Sequence, residues 1–333
     1  MIDNFIQKHN LPSYRIKQFN LAYYQQFITD FDELSTWSKD LRIKLISELK
    51  FSSLKKIKKE TSKDGGTIKA LFELETGEHI ETVLMKHQDG RNTVCVSCMI
   101  GCPVGCKFCA TGQMKFKRGL KTNEIIDQVL YFGRLLIKEN MKITNIVFMG
   151  MGEPLLNLEN VLEAISIIND PEKIGLGKRR VLISTVGIID SFKKLIESDY
   201  KGRLAVSLHA SNQKIRDEII PIAKDNPIPE LLSLIDLYIK KGKKRVSLEY
   251  ILIKDLNDSR EDAEALIKLV KNKLIHINLI PLNPVPHSNY KRPDKNRIFQ
   301  FSNILRQHKI EHSIRVTMGD DIQAACGQLA GKK

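Results

Sequence analysis

The sequence predicts an α/β fold: an incomplete parallel (β/α)6 barrel with a small N-terminal helical accessory domain and a short β segment before the barrel. Three observations carry this. Strand and helix periods alternate six times after Gly90, which calls for a parallel sheet with right-handed crossovers. The opening 50 residues show only helical periodicity, and from Thr67 the period changes to two. Polar motifs gather just past the C-terminal ends of five or six strands. Parallel barrels build their sites from that face, whereas a doubly wound sheet concentrates its ligand at one switch point.

In chain order, residues 1–64 are expected as the helical accessory domain, 65–90 as a β-hairpin region, and 91–333 as the barrel with its C-terminal extension. Ser13 opens an amphipathic run to Phe27, and Ser38 has the character of an N-cap for the run from Lys39 to Leu49. Basic residues on the polar faces (Arg15, Lys17, Lys39, Arg42, Lys44) make this domain a candidate nucleic-acid appendage; a solvated face is the plainer alternative. The Lys-rich stretch 54–63, broken by Gly65-Gly66, reads as a linker. Strands are expected at 67–75 and 79–86, joined by a turn at Thr76-Gly77. Glu81 lies in the second of these, where a lone Glu ordinarily faces solvent. The barrel strands are read at 93–97, 143–149, 181–185, 204–208, 246–252, 275–281 and 313–317, with helices at 122–139, 158–169, 189–198, 228–241, 260–273 and 296–308.

Composition narrows the function classes. The chain has 333 residues, enough for one large domain with an appendage. It has no apolar run of 18 residues, so no membrane span is expected. Met1-Ile2-Asp3-Asn4 lacks the basic and apolar regions of a signal peptide, and a cytoplasmic location is expected. A net charge of +14 suits a polyanion binder, with simple solubility as the alternative.

Five of the six cysteines lie between residues 95 and 109. Cys102, Cys106 and Cys109 are spaced x3 and x2, and without an export signal such clustering favours metal or redox chemistry over disulfides. A closed zinc site draws four ligands from paired C-x2-C units, and no second pair exists here. Three thiolates on a four-iron cluster would leave one iron open for chemistry. Gly150-Met151-Gly152-Glu153-Pro154 follows the second barrel strand; its glycines permit close approach of a ligand, and Glu153 can accept from an amine or a ribose hydroxyl. Ser184, Ser207 and His209 sit at strand ends, and Asn283 lies between Pro281 and Pro284. Singly each suits a capping or core role; together they suit the polar lining of a pocket. Cys326 stands alone near the C-terminus, and Cys95 precedes the triad by seven residues. Two thiols outside the cluster, near one site, would permit disulfide exchange. The basic run at 115–118 follows the triad and is expected to rim the site, whereas that at 240–245 reads as a solvated loop.

These residues resemble the radical S-adenosylmethionine (SAM) superfamily, and more specifically the RlmN/Cfr family of RNA adenosine methyltransferases. The resemblance runs nearly the whole chain. It rests on Gly101 through Gly112, on Gly150-Met-Gly-Glu-Pro-Leu-Leu-Asn157, and on the segment Asp321 to Leu329. It implies a [4Fe–4S] cluster on Cys102, Cys106 and Cys109. It also implies S-adenosylmethionine contacts from Gly152, Glu153, Ser184, Ser207, Leu208, His209 and Asn283, with two cofactor molecules used per turnover. Cys326 matches the cysteine that is methylated before the methyl reaches RNA. Cys95 matches its transient disulfide partner, and Glu81 matches the proton acceptor. The implied substrates are 23S rRNA and tRNA, modified at carbon 2 of adenine. The implied partner is a flavodoxin- or ferredoxin-type reductant, and the implied state is a monomer. Pro154 suits the carbon-2 branch; the carbon-8 branch tends to replace that proline. Two positions depart from the family pattern: Cys98 stands where serine is usual, and Gly119 where asparagine is common. A competing class is a metal-stabilised RNA-binding protein without catalysis.

Overall fold

A computed structural model describes residues 2–286 and 288–331. The N-terminal unit comprises α1 (Ile2–Lys8), α2 (Tyr14–Asn20), which runs on through a wider turn at Leu21–Gln25, and α3 (Lys39–Glu48). As the sequence predicts, Ser38 caps α3, its Oγ accepting from the Leu41 amide at 3.4 Å. Helices this short are marginal alone and owe their stability to packing. Here the packing is aromatic: Phe5, Phe19, Tyr23, Phe31 and Trp37 are all buried. The unit is seated on the barrel helix α4 (Thr122–Ile137). Arg134 of α4 stacks on the Phe51 ring at 4.7 Å and donates to the Ile28 carbonyl. Asp127 accepts from both the amide and the hydroxyl of Ser53 at 2.6 Å.

The stretch 54–63, expected as a linker, is instead largely strand. β1 (Leu54–Thr61) pairs antiparallel with β2 (Thr67–Leu74), and β2 with β3 (His79–Lys86). β1 is a sheet edge, and its lysines are the kind of residue that protects an exposed edge from pairing with another chain. The same lysines hide the strand from a composition-based reading.

β3 pairs antiparallel with β4 (Asn92–Cys95), where the parallel part begins. β4, β7 (Asn145–Phe148), β8 (Val181–Thr185), β9 (Arg203–Ser207), β10 (Val246–Leu252) and β11 (Ile275–Pro281) lie side by side in chain order, all parallel. A short β12 (His312–Ile314) extends β11 and is shorter than the expected 313–317. β5 (Met99–Ile100) and β6 (Arg118–Gly119) form a separate two-stranded ladder. The crossovers are α4, α5 (Leu158–Asn169), α6 (Ile189–Glu197), α8 (Ile228–Gly242), α9 (Arg260–Val270) and α10 (Lys295–Gln307). The extra helix α7 (Gln213–Ile219) was not legible in the periodicity. The ten-stranded sheet runs from β1 to β12 without its ends pairing, which is the incomplete barrel expected.

Candidate active site

A cavity of about 620 Å3 occupies the barrel interior. Its C-terminal mouth is lined by Cys102, Cys106, Cys109, Gly152, Glu153, Ser184, Ser207, His209 and Asn283, together with Cys95 and Cys326. Two expected residues are elsewhere. The Leu208 side chain is fully buried in the core, and Glu81 lies beneath the C-terminal tail.

The triad sits in the loop that follows β5. Burial pushes the Cys102 thiol up to about 12 and raises Cys106 and Cys109 as well. Such thiols become thiolates only beside a strongly cationic group. Among the described residues, no three Cys, His, Asp or Glu side chains converge within reach of one ion. That donor set fits a polynuclear group, with each thiol on its own iron, better than a closed zinc site.

Gly152 adopts φ +105°, and a Cβ there would lie 2.6 Å from Met99 Cβ, so only glycine fits this turn. The turn delivers Glu153, whose Oε1 accepts from the Leu155 amide and whose Oε2 accepts from the Val186 amide, both at 2.9 Å. Burial nevertheless raises its carboxyl to about 6. Gly119 lies against Asn157, which donates to the carbonyls of Cys98 and Leu120; a Cβ at 119 would meet that side chain at 2.7 Å. The glycine at this position is thus matched to a neighbouring asparagine.

His209 has φ +59° and its Nδ1 accepts from the Ile251 amide at 3.1 Å. The ring proton is therefore on Nε2. Burial first, then Arg216, lowers its pKa to about 3, so the imidazole is neutral. Arg216 of α7 is fully buried and donates to the carbonyls of Leu208, Asn226 and Val186. It ties the ends of β8 and β9 together beneath the site, and nothing in the sequence marks it for that role.

The C-terminal segment crosses the mouth and is tied down at several points. Asn283 Nδ2 donates to the Cys326 carbonyl at 3.1 Å, and Ala110 donates to the Gly327 carbonyl at 2.7 Å. Thr111 Oγ1 donates to the Leu329 carbonyl at 2.6 Å. Glu81 Oε2 accepts from the amides of Ala330 and Gly331, and its Oε1 lies 3.1 Å from Lys69 Nζ. Glu81 is thus buried rather than solvent-facing, contrary to the expectation for a lone strand glutamate.

Cys326 is exposed, whereas Cys95 is buried at the end of β4. They lie within electrostatic reach of each other, and burial first, then Cys326, pushes Cys95 up to about 12. Cys98, by contrast, packs into the hydrophobic core and does not line the cavity. Arg315 reaches the same place. Burial opposes its charge, but Cys326, Glu249 and Cys95 outweigh this and hold the guanidinium above its ordinary value. Of the basic run after the triad, Arg118 is committed to Glu124 at 2.7 Å and Lys117 to Glu78 at 3.2 Å.

The Radical SAM superfamily matches residues 96–270. A Dictyoglomus turgidum protein named "Probable dual-specificity RNA methyltransferase RlmN" is 45% identical over 328 residues, covering 98% of this chain and 93% of the relative. The chain belongs to the RlmN family of radical SAM methyltransferases. A Nitrosopumilus maritimus relative, "Ribosomal RNA large subunit methyltransferase N", is 39% identical over 95% of this chain and 92% of its own length. A radical SAM methyltransferase from Sphaerobacter thermophilus has the same fold, with a TM-score of 0.97 at 40% identity, covering 99% of this chain and 97% of that one. As an RlmN-family enzyme the protein uses a [4Fe–4S] cluster and S-adenosylmethionine, and the buried triad suits the former. No helix among the described residues is long and apolar enough to cross a membrane.

Proposed function

We propose that the protein methylates carbon 2 of a specific adenosine in 23S rRNA, and of one in tRNA, with Cys326 carrying the methyl group. The observation that carries this reading is that Cys326 and Cys95 share one cavity with the cysteine triad. Pro154 in the Gly150–Asn157 turn favours carbon 2 over carbon 8, and the dual-specificity names of the relatives support two RNA classes.

Carbon 2 of adenine is not nucleophilic, so direct displacement at a methylsulfonium fails. When bound, S-adenosylmethionine and the four-iron cluster supply the methyl group and a one-electron means of activating it. The chain supplies the rest. Cys102, Cys106 and Cys109 hold the cluster, and Gly152, Glu153, Ser184, Ser207, His209 and Asn283 form the cofactor contacts. The Cys326 thiol gives up its proton and carries the methyl carbon to the base. Arg315 lies within electrostatic reach of both the Cys326 and the Cys95 sulfur. Once that carbon is bonded to the adenine, carbon 2 gives up its proton, and the family resemblance assigns Glu81 as the acceptor. Cys95 then attacks the Cys326 sulfur. An S–S bond forms as the S–C bond breaks, and the electron pair passes to the base-bound carbon, which takes up a proton. A flavodoxin- or ferredoxin-type protein supplies electrons, and the enzyme acts as a monomer in the cytoplasm. Residues 1–64, with their basic helical faces, are the accessory RNA contact, 65–90 the connecting β region and 91–333 the catalytic barrel.

The deciding experiment is anaerobic reconstitution with iron and sulfide, followed by mass spectrometry of the adenosine from treated rRNA and tRNA. 2-Methyladenosine is expected. Only 8-methyladenosine would assign the carbon-8 branch, and no cluster absorption band would favour a non-catalytic RNA-binding protein.

A further inference from the structure

The barrel cavity does not end at the active-site mouth. It continues to the N-terminal ends of the strands, where Thr93, Asn145, Arg180, Arg203 and His276 line it. There it meets a second, polar recess of about 100 Å3, walled by Arg203, Arg245, Ser247 and His276 over Leu182 and Leu204. The β-sheet register sets this grouping: Ser247 of β10 lies beside His276 of β11 and Ala205 of β9, and Arg203 opens β9.

The charges here are unequal. Arg245 meets Glu311 at 2.7 Å on the exposed rim. Glu249, further inside the barrel, is already taken by Asn278 at 2.7 Å and Arg315 at 3.8 Å. Arg203 has no ion-pair partner within salt-bridge distance among the described residues. Lys244, the chain neighbour of Arg245, is itself crowded by cations: burial first, then Arg179, Lys201 and Lys178, lowers its pKa. His276 Nε2 lies 2.9 Å from Ser313 Oγ, and its Nδ1 is buried without a partner. Ser313 Oγ gives its proton to Asn278 Oδ1 at 3.4 Å, so His276 Nε2–H donates to Ser313 and Nδ1 is left an acceptor. Two guanidinium groups and a hydroxyl around a recess of this size make a donor set for a tetrahedral oxyanion.

We propose that this recess, at the opposite end of the barrel from the chemistry, binds a phosphoryl oxyanion through Arg203 and Arg245, with Ser247 completing the contacts. Free phosphate and an RNA backbone phosphate share this chemistry. The first arm of the test is calorimetric titration of the reconstituted holoenzyme with inorganic phosphate at fixed ionic strength. Saturable binding to one site is expected, weakened about tenfold or more by Arg203→Gln or Arg245→Gln, as for loss of a charge-assisted hydrogen bond. Lys194→Gln, exposed on α6, is the control and leaves binding unchanged. The second arm measures fluorescence anisotropy of a short single-stranded RNA lacking adenosine. Weaker RNA binding by Arg203→Gln, with competition by phosphate, assigns the recess to an RNA phosphate. Unchanged RNA binding beside Arg203-dependent phosphate binding assigns it to the free ion. Both arginine variants are checked for native melting. If neither phosphate nor RNA binding responds to either substitution in folded protein, the site does not exist.

Discussion

Glu81 and Ala330 are joined by a 2.7 Å hydrogen bond across 249 positions of chain. The same carboxylate meets Lys69, so one buried acid links a pre-barrel strand to the tail that follows Cys326. Glu81→Gln keeps an acceptor for the amides but loses the ion pair. Lys69 retains Glu60 at 3.4 Å, which limits the damage. A stability loss of about 1–3 kcal/mol is expected by denaturant titration. Hydrogen exchange at 330–331 should also quicken. Unchanged exchange there would show that the carboxylate does not hold the tail.

Cys326→Ala removes the sulfur proposed to carry the methyl group. Intact-mass spectrometry after incubation with S-adenosylmethionine should show no methyl on the protein and no methylated RNA. Turnover at the wild-type rate would refute the carrier role.

Cys95→Ala should leave methyl loading intact but removes the thiol proposed to resolve the adduct. A covalent protein–RNA species should accumulate on denaturing gels. Cys98→Ala should release product normally, because Cys98 packs into the core instead of lining the cavity.

His209 gives the protein an acid sensitivity of known sign. Its pKa falls from 6.5 to about 3 on folding, so the unfolded chain takes up a proton that the folded one refuses. The stability it contributes is present above pH 6.5 and is lost as pH falls toward 3. The loss is about 1.4 kcal/mol per pH unit, or about 2 kcal/mol by pH 5. Unfolding measured at pH 7 and pH 5 should show this decrement in the wild type and its absence in His209→Asn.

Arg216→Met strips three buried carbonyls of their donor. A loss of about 3–5 kcal/mol is expected, as for an emptied buried polar network. Arg216→Lys should recover only part of it, because an ammonium cannot span the three acceptors. Thermal melts of the three proteins check the order.

The cysteine spacing, the glycine-rich turn and the alternating periods are local features, and their meaning was legible in the chain. The triad, the turn around Gly152 and the crossover helices α4, α5, α6, α8, α9 and α10 could be read because each depends on neighbours close in sequence. The strand at 54–61 could not, since its lysines suit a loop as well as a sheet edge, and only pairing with β2 separates the two. Arg216 and Lys69 were equally silent: an isolated cation shows its role only once its acceptors are assembled.

By itself, then, the sequence determined the fold class and singled out Cys102, Cys106 and Cys109 as a candidate cluster site. Those follow from residue type and short spacing. Only the tertiary structure decided that Cys95 and not Cys98 shares the cavity with Cys326, that Glu81 is buried under the tail, and that the barrel's far mouth brings Arg203 and Arg245 together. Strand register and chain closure set these relationships, and both bring together residues whose separation in sequence carries no signal of their contact.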